Sequence, residues 1–165
     1  MRKWACVTIL LVACTGAPAA HDPDTTTAVA ANATLIKVVD GDTIDVRVDG
    51  TKERVRLIGI DTPETKKPNT PIQCFGPEAS AFTASLLPKG TALHLERDVE
   101  ARDPYDRLLA YVYLTDGTFV NLQIVRQGYA HVLTIPPNVA HVDEFVQAAG
   151  DARAADAGLW SRCSG

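Results

Sequence analysis

From Thr34 to Ile60 apolar side chains largely return at every second position, and two Asp-Gly pairs interrupt the run. A period of two suits a half-buried strand and is foreign to a helix, whose apolar residues recur every three or four. Leu35-Ile36-Lys37-Val38-Val39 therefore reads as a first strand, Thr43-Ile44-Asp45-Val46-Arg47-Val48 as a second, and Glu53-Arg54-Val55-Arg56-Leu57-Ile58-Gly59-Ile60 as a third, unbroken one. The turns between them, Asp40-Gly41-Asp42 and Asp49-Gly50, use the residues that tight hairpins favour. The chain thus opens as a meander.

After a loop from Asp61 to Phe75 the period changes. Gly76 to Leu87 carries Pro77 in its first turn and places Ala79, Phe82 and Leu86 on one helical face, until Pro88-Lys89-Gly90 stops it. Strands are expected over Ala92 to Arg97 and Leu108 to Leu114. Helices are expected over Val120 to Gln127, ended by Gly128, and over Ala140 to Ala157, with Val142, Phe145 and Ala149 facing inward and Trp160 following as a core plug. Five strands with helices inserted between and after them give an α+β, mainly β, fold: a five-stranded OB-fold Greek-key barrel with three helices. A length of 165 residues, 46% of them hydrophobic, supports one such core and not two.

Residues 1–20 have the order of an export signal: Arg2 and Lys3, an apolar run from Trp4 to Cys14, then small residues. The apolar run is too short to span a bilayer. Leu11-Val12-Ala13-Cys14 resembles a lipoprotein box, which would make Cys14 a lipidated first residue, whereas Ala17-Pro18-Ala19 fits ordinary cleavage. Residues 21–33 read as a flexible tether and residues 34–163 as the domain. Processing leaves Cys74 and Cys163, and an even pair in an exported chain suggests a disulfide, worth about 3–5 kcal/mol over so long a loop. Two free thiols are the alternative, and no CxxC or HxxxH spacing supports zinc. A formal charge of −4 argues against bulk electrostatic attraction to nucleic acid, so a polyanionic ligand would need a local arginine cluster and a bound cation.

Charged groups stand where a plain barrel has no use for them. Asp40-Gly41-Asp42-Thr43 sits between strands, and Asp61-Thr62-Pro63-Glu64-Thr65 follows an apolar strand directly. Taken singly, the first is ordinary turn chemistry and the second a solvated loop. Together they supply Asp42 and Asp61 with neighbouring carbonyl and hydroxyl oxygens, the all-oxygen set that hard cations prefer. Arg56 lies in the third strand, on the face of Ile58 and Ile60, and Arg107 opens the strand after Arg102-Asp103-Pro104-Tyr105-Asp106. Each could simply pair with a nearby acid: Arg56 with Asp42, Asp61 or Glu64, and Arg107 with Asp103 or Asp106. Two arginines at strand ends near three acids also suit a phosphate, which the guanidinium fork grips bidentately.

The blocks VVDGDTIDVRVDGTKERVRLIGIDTPET, CFGPEASAFTASLL, RDPYDRLLAYVY and DGTFVNLQIVRQGYA resemble the staphylococcal nuclease family in order and spacing, from about Thr34 to Trp160. The resemblance implies a five-stranded barrel with three helices. It further implies a calcium site formed by Asp42, Asp61 and the main-chain carbonyl of Thr62, and a catalytic set of Arg56, Glu64 and Arg107. The activity it implies is metal-assisted hydrolysis of DNA or RNA by a monomer, leaving 3′-phosphorylated products. The chain departs from the family where tyrosines can pack on the substrate base, since Thr134 and Pro136 stand there, and where a lysine can precede the arginine-loop tyrosine, since Pro104 stands there. Tyr105 is left as the substrate contact, and weaker binding than in a basic homologue is expected. His94, His131 and His141 fall in no shared motif and read as structural or surface residues. Competing readings are a non-catalytic interaction module and a calcium- or oligosaccharide-binding barrel; neither needs two arginines aimed at a cation site.

Overall fold

The alternation in the first half of the chain closes on itself. A computed structural model describes residues 28–65 and 71–163; the expected export signal, Cys14 and the expected tether up to residue 27 lie outside the described residues. Strands β1 (Ala33–Asp40), β2 (Thr43–Val48) and β3 (Thr51–Leu57) form the meander. Strand β4 (Gly59–Asp61), helix α1 (Gly76–Leu86), and strands β5 (Ala92–Glu96) and β6 (Leu108–Leu114) follow. Helix α2 (Val120–Arg126), strand β7 (His131–Leu133), helix α3 (Val142–Ala154) and the single turn α4 (Leu159–Arg162) complete the order. The barrel runs β1-β2-β3-β6-β5 and closes from β5 to β1, with β3 and β6 parallel and all other neighbours antiparallel. That is the expected five-stranded Greek-key barrel.

Leu35, Ile44, Val46, Val55, Leu57, Leu93 and Val112 fill its interior and are almost wholly buried, each stabilising the fold by about 1.5–3 kcal/mol. A second layer, continuous with the first, packs Ile60, Val120, Ile124, Val125 and Phe145 between the barrel and helices α2 and α3. Among the described residues no helix is long and apolar enough to cross a membrane.

Outside the barrel the alternation places Asp45 opposite Lys37 on β1 and Arg54 on β3. Its carboxylate meets Arg54 Nε at 2.8 Å, Lys52 Nζ at 3.2 Å and Lys37 Nζ at 3.8 Å, and these long side chains shield it completely from solvent. Burial works to raise its pKa, but Arg54 and Lys52 outweigh burial and hold it below the usual carboxylate range.

The expected third strand is in fact two. At Ile58 the chain turns: Gly59 adopts φ +82°, and a Cβ there would lie 2.2 Å from Cε2 of Phe145, so both backbone and packing require glycine. Buried Asn121 of α2 secures the break, accepting the Val112 N–H at 3.0 Å and donating to the Ile58 carbonyl at 2.9 Å. Strand β4 then leaves the barrel and pairs with β7, in the register Gly59↔Leu133, Ile60↔Val132, Asp61↔His131. This overturns the face assignment made from the sequence. Past the turn Ile58 and Ile60 enter the core, whereas Arg56 stays at the rim.

Smaller differences have similar causes. Helix α3 begins at Val142 and ends at Ala154, inside the expected span. Leu159 is the buried plug; Trp160 is only part-buried, with Arg153 4.2 Å above its ring and His131 edge-on at 5.0 Å. Val29 and Asn32, assigned from sequence to the tether, donate main-chain hydrogen bonds to Thr115 and Leu93. Cys74 and Cys163 are joined in a disulfide across 89 residues of sequence.

Two outcomes are expected. Asn121→Ala leaves a buried N–H and a buried carbonyl without their partner, so urea unfolding should show a loss of about 2–4 kcal/mol; a loss below about 1 kcal/mol would contradict the clasp. The depressed pKa of Asp45 means its stabilising contribution is present above the unfolded carboxylate value of about 4 and disappears as pH falls through the lower folded value. Asp45→Asn should therefore cost about 1 kcal/mol at pH 7, a modest figure because its partners are half exposed, and should narrow the stability gap to wild type as denaturation is followed down to pH 2.

Candidate active site

Asp42 is placed by the β1–β2 turn and held from three sides. Its Oδ1 accepts the Thr43 hydroxyl at 2.9 Å, and its Oδ2 accepts the Thr62 N–H at 2.9 Å and the Thr62 hydroxyl at 3.0 Å. The turn carries Gly41 because a Cβ would meet Thr62 at 2.7–2.8 Å. From below, the buried Thr83 of α1 donates to the Gly41 carbonyl at 2.7 Å. Turn and loop are thereby locked together although 20 residues separate Asp42 from Thr62.

Arg56 joins the two acids. Its Nη2 lies 3.2 Å from Asp42 Oδ2 and 2.9 Å from Asp61 Oδ1, while Nη1 donates to the carbonyls of Leu57 and Ile60 at 2.9 and 2.7 Å. The carbonyls bracket the strand break, so the turn at Ile58 is what brings Asp61 within reach of a residue on β3. Asp61 is pushed above the usual carboxylate range first by burial; Arg56 opposes this, and the charges of Asp42 and Glu64 add to it. The ion pair weighed from the sequence is thus present, and it sits inside the same cleft as the remaining candidates.

Glu64 follows on the loop. Its N–H donates to Gln73 Oε1 at 2.7 Å, and its own carboxylate accepts the Thr65 N–H at 3.0 Å. Asp40 lies beside it, 8% exposed, and accepts the Thr65 hydroxyl and the Gly41 N–H, each at 2.9 Å. Burial, then a hydrogen bond with Glu64, push Asp40 above its usual value, against the pull of its Thr65 and Gly41 contacts. Gly76, at the head of α1, lets the loop pass close, since a Cβ there would meet Thr65 at 2.8 Å.

Arg107 reaches the cleft from the other side, from the residue before β6. Asp103 positions it by accepting its main-chain N–H at 3.0 Å and its Nε at 2.6 Å. Burial works to raise the Asp103 pKa, but these bonds more than offset it and keep the carboxylate ionised. Tyr105, 81% exposed, stands at the rim with the Arg107 guanidinium 5.5 Å from its ring centre.

One open cleft of about 560 Å³ collects Asp42, Arg56, Asp61, Thr62, Glu64, Arg107 and Tyr105. Two residues missing from the sequence assignment, Asp40 and Gln73, line the cleft, and Asp103, one of the two acids weighed as a partner for Arg107, orients it. Asp40 was visible in the same turn as Asp42, but nothing in an Asp-Gly-Asp run tells which carboxylate turns inward. Beside the cleft, sharing Arg56 and Arg107, lies an apolar hollow of about 180 Å³ bordered by Leu57, Leu109, Leu133 and Ile135. The loop containing Thr134 and Pro136 thus offers aliphatic rather than aromatic contacts.

Four carboxylates facing two guanidiniums leave a local excess of negative charge, and every available donor is a hard oxygen. Such a set fits calcium or magnesium and is foreign to zinc or copper. Among the described residues no His, Cys, Asp or Glu side chains are drawn into a ready-made chelate of three or more. A cation here would take part of its shell from main-chain carbonyl oxygen and water.

Residues 54–162 match the family described as "Staphylococcal nuclease homologue", more than half of the chain. The chain is 45% identical to the thermonuclease of Staphylococcus intermedius over 126 residues, covering 76% of this chain and 74% of that protein. It is 42% identical to the thermonuclease of Staphylococcus hyicus over 77% of this chain and 74% of the other. It is also 41% identical to the Bacillus subtilis (strain 168) protein Endonuclease YncB, over 79% and 62% respectively. Barrel, cleft and sequence agree, and the chain belongs to the staphylococcal nuclease family.

Proposed function

We propose that this nuclease hydrolyses phosphodiester bonds in DNA or RNA with calcium held by Asp42, Asp61 and the main-chain carbonyl of Thr62, and that it acts as an exported monomer. The observation that carries this reading is the convergence of Arg56, Glu64 and Arg107 with those acids in one cleft. Had the two arginines pointed to opposite faces, the chemistry would have had no common substrate. Export, with or without a lipid anchor at Cys14, rests on the signal-like order of residues 1–20.

When bound, the cation supplies positive charge at the phosphate and a site for ordered water. Arg56 grips the non-bridging oxygens; its ties to Asp42 and Asp61 fix its plane before substrate arrives, so little ordering remains to be done at the moment of reaction. Arg107, oriented by Asp103, stabilises charge building on the phosphorus-bound oxygens or on the leaving 5′-oxygen, which leaves a 3′-phosphate on the other fragment. Glu64 takes or orients the proton of the attacking water. The Thr65 N–H, donating to the Glu64 carboxylate at 3.0 Å, keeps that carboxylate beside the loop. Tyr105 at the rim and the apolar hollow beside Arg56 contact the nucleoside.

Cleavage of single-stranded DNA and of RNA by the purified chain should require calcium and stop with a chelator. Glu64→Gln should lower kcat by about 10²- to 10⁴-fold while oligonucleotide affinity changes little. Arg107→Ala should lower kcat by a similar factor, of order 10²–10³. A folded protein that binds but never cuts, with or without calcium, would instead identify an interaction module on the same barrel.

A further inference from the structure

The reactive cleft continues past its acids. Beyond Asp61, Thr62 and Gln73, which it shares, lies a second hollow of about 550 Å³, walled by the Cys74–Cys163 disulfide, His131 and Trp160. On its other flank the same cleft runs through Arg56 and Arg107 into the apolar hollow. The two hollows lie at opposite ends of the β4–β7 ribbon. Leu133, paired with Gly59, borders the apolar one, and His131, paired with Asp61, borders the second. Two residues of strand, about 7 Å, separate those pairs.

We propose that the hollow at His131 and Trp160 is a second nucleotide subsite, which takes the nucleoside on the far side of the scissile phosphate from the one lodged in the apolar hollow. This rests on the nuclease reading above. A polynucleotide alternates bases with phosphates, and the protein surface alternates in the same way: hollow, charged centre, hollow. The volume suits a nucleoside-sized group. His131 is exposed and stands perpendicular to the Trp160 ring, a contact that fixes its plane and covers at most one of its faces. Histidine faces are among the surfaces on which unpaired bases stack. Arg153, exposed and held 4.2 Å over the indole, adds positive charge beside the path the next phosphate would follow. The disulfide holds Cys74 and the C-terminal turn together as the outer wall, so the hollow persists without ligand.

The test uses the full chain carrying Glu64→Gln, in which cutting is slowed by about 10²- to 10⁴-fold, and calorimetric binding of two probes in calcium: octathymidylate and thymidine 5′-phosphate. Adding His131→Ala should weaken octathymidylate about fivefold to tenfold and thymidine 5′-phosphate by less than about twofold, and His131→Phe, which keeps a ring, should restore the loss. In the catalytically intact chain the same substitution should raise KM for the octamer rather than lower kcat. Equal weakening of both probes, no weakening of the octamer, or no rescue by phenylalanine would each overturn the subsite while leaving the nuclease intact. A parent chain that neither binds nor cuts the octamer would overturn the nuclease reading, and the subsite with it.

Discussion

The buried amide of Asn121 holds the point on which the site depends. It bonds at once to Val112 on β6 and to Ile58 where β3 breaks, and so fixes where the chain leaves the barrel. Because the break comes one residue after Leu57, the next carboxylate, Asp61, swings back to Arg56 on the strand just left. A strand continued to Ile60, as the alternation suggests, would have carried Asp61 away along the barrel wall. Three components share the work: glycine at 59 permits the turn, Phe145 requires that it have no side chain, and Asn121 satisfies the backbone groups exposed by it.

The site built on that break is held together by opposed charges that no single pair neutralises. Arg56 lies between Asp42 and Asp61, Arg107 is bound to Asp103, and Asp40 and Glu64 both accept hydrogen bonds from Thr65. Each cation therefore has an acid that orients it, and the acids still outnumber the cations at the cleft. Breaking one member of such a set exposes its partner, which is why a change at a supporting residue such as Asp103 is felt at Arg107.

The barrel was legible in the sequence because its strands are long enough to show a period and are separated by Asp-Gly turns. The residues brought into the cleft were legible because charges at strand ends have no place in a plain core. What escaped had no period to display. Strands β4 and β7 are three residues each, too short for alternation to register, and their pairing exists only because the break at Ile58 sets β4 free. Trp160 was expected as a core plug, whereas the smaller Leu159 fills that position and the indole serves as a wall. Asp40 escaped because it gains its importance from neighbours distant in sequence, Thr65 and Glu64.

The cluster around Asp45 bears on how the protein meets a polyanion. Lys37, Lys52 and Arg54 converge on one carboxylate on the outer barrel wall, and Arg102 is likewise bound to Glu53. Cations paired in this way contribute little field at a distance, and the chain as a whole carries a charge of −4. A nucleic-acid strand approaching from solution is therefore not drawn in by long-range steering. On the function proposed above, encounter proceeds at the pace of ordinary diffusion, and selectivity lies in how long a strand stays once a phosphate has reached Arg56 and Arg107.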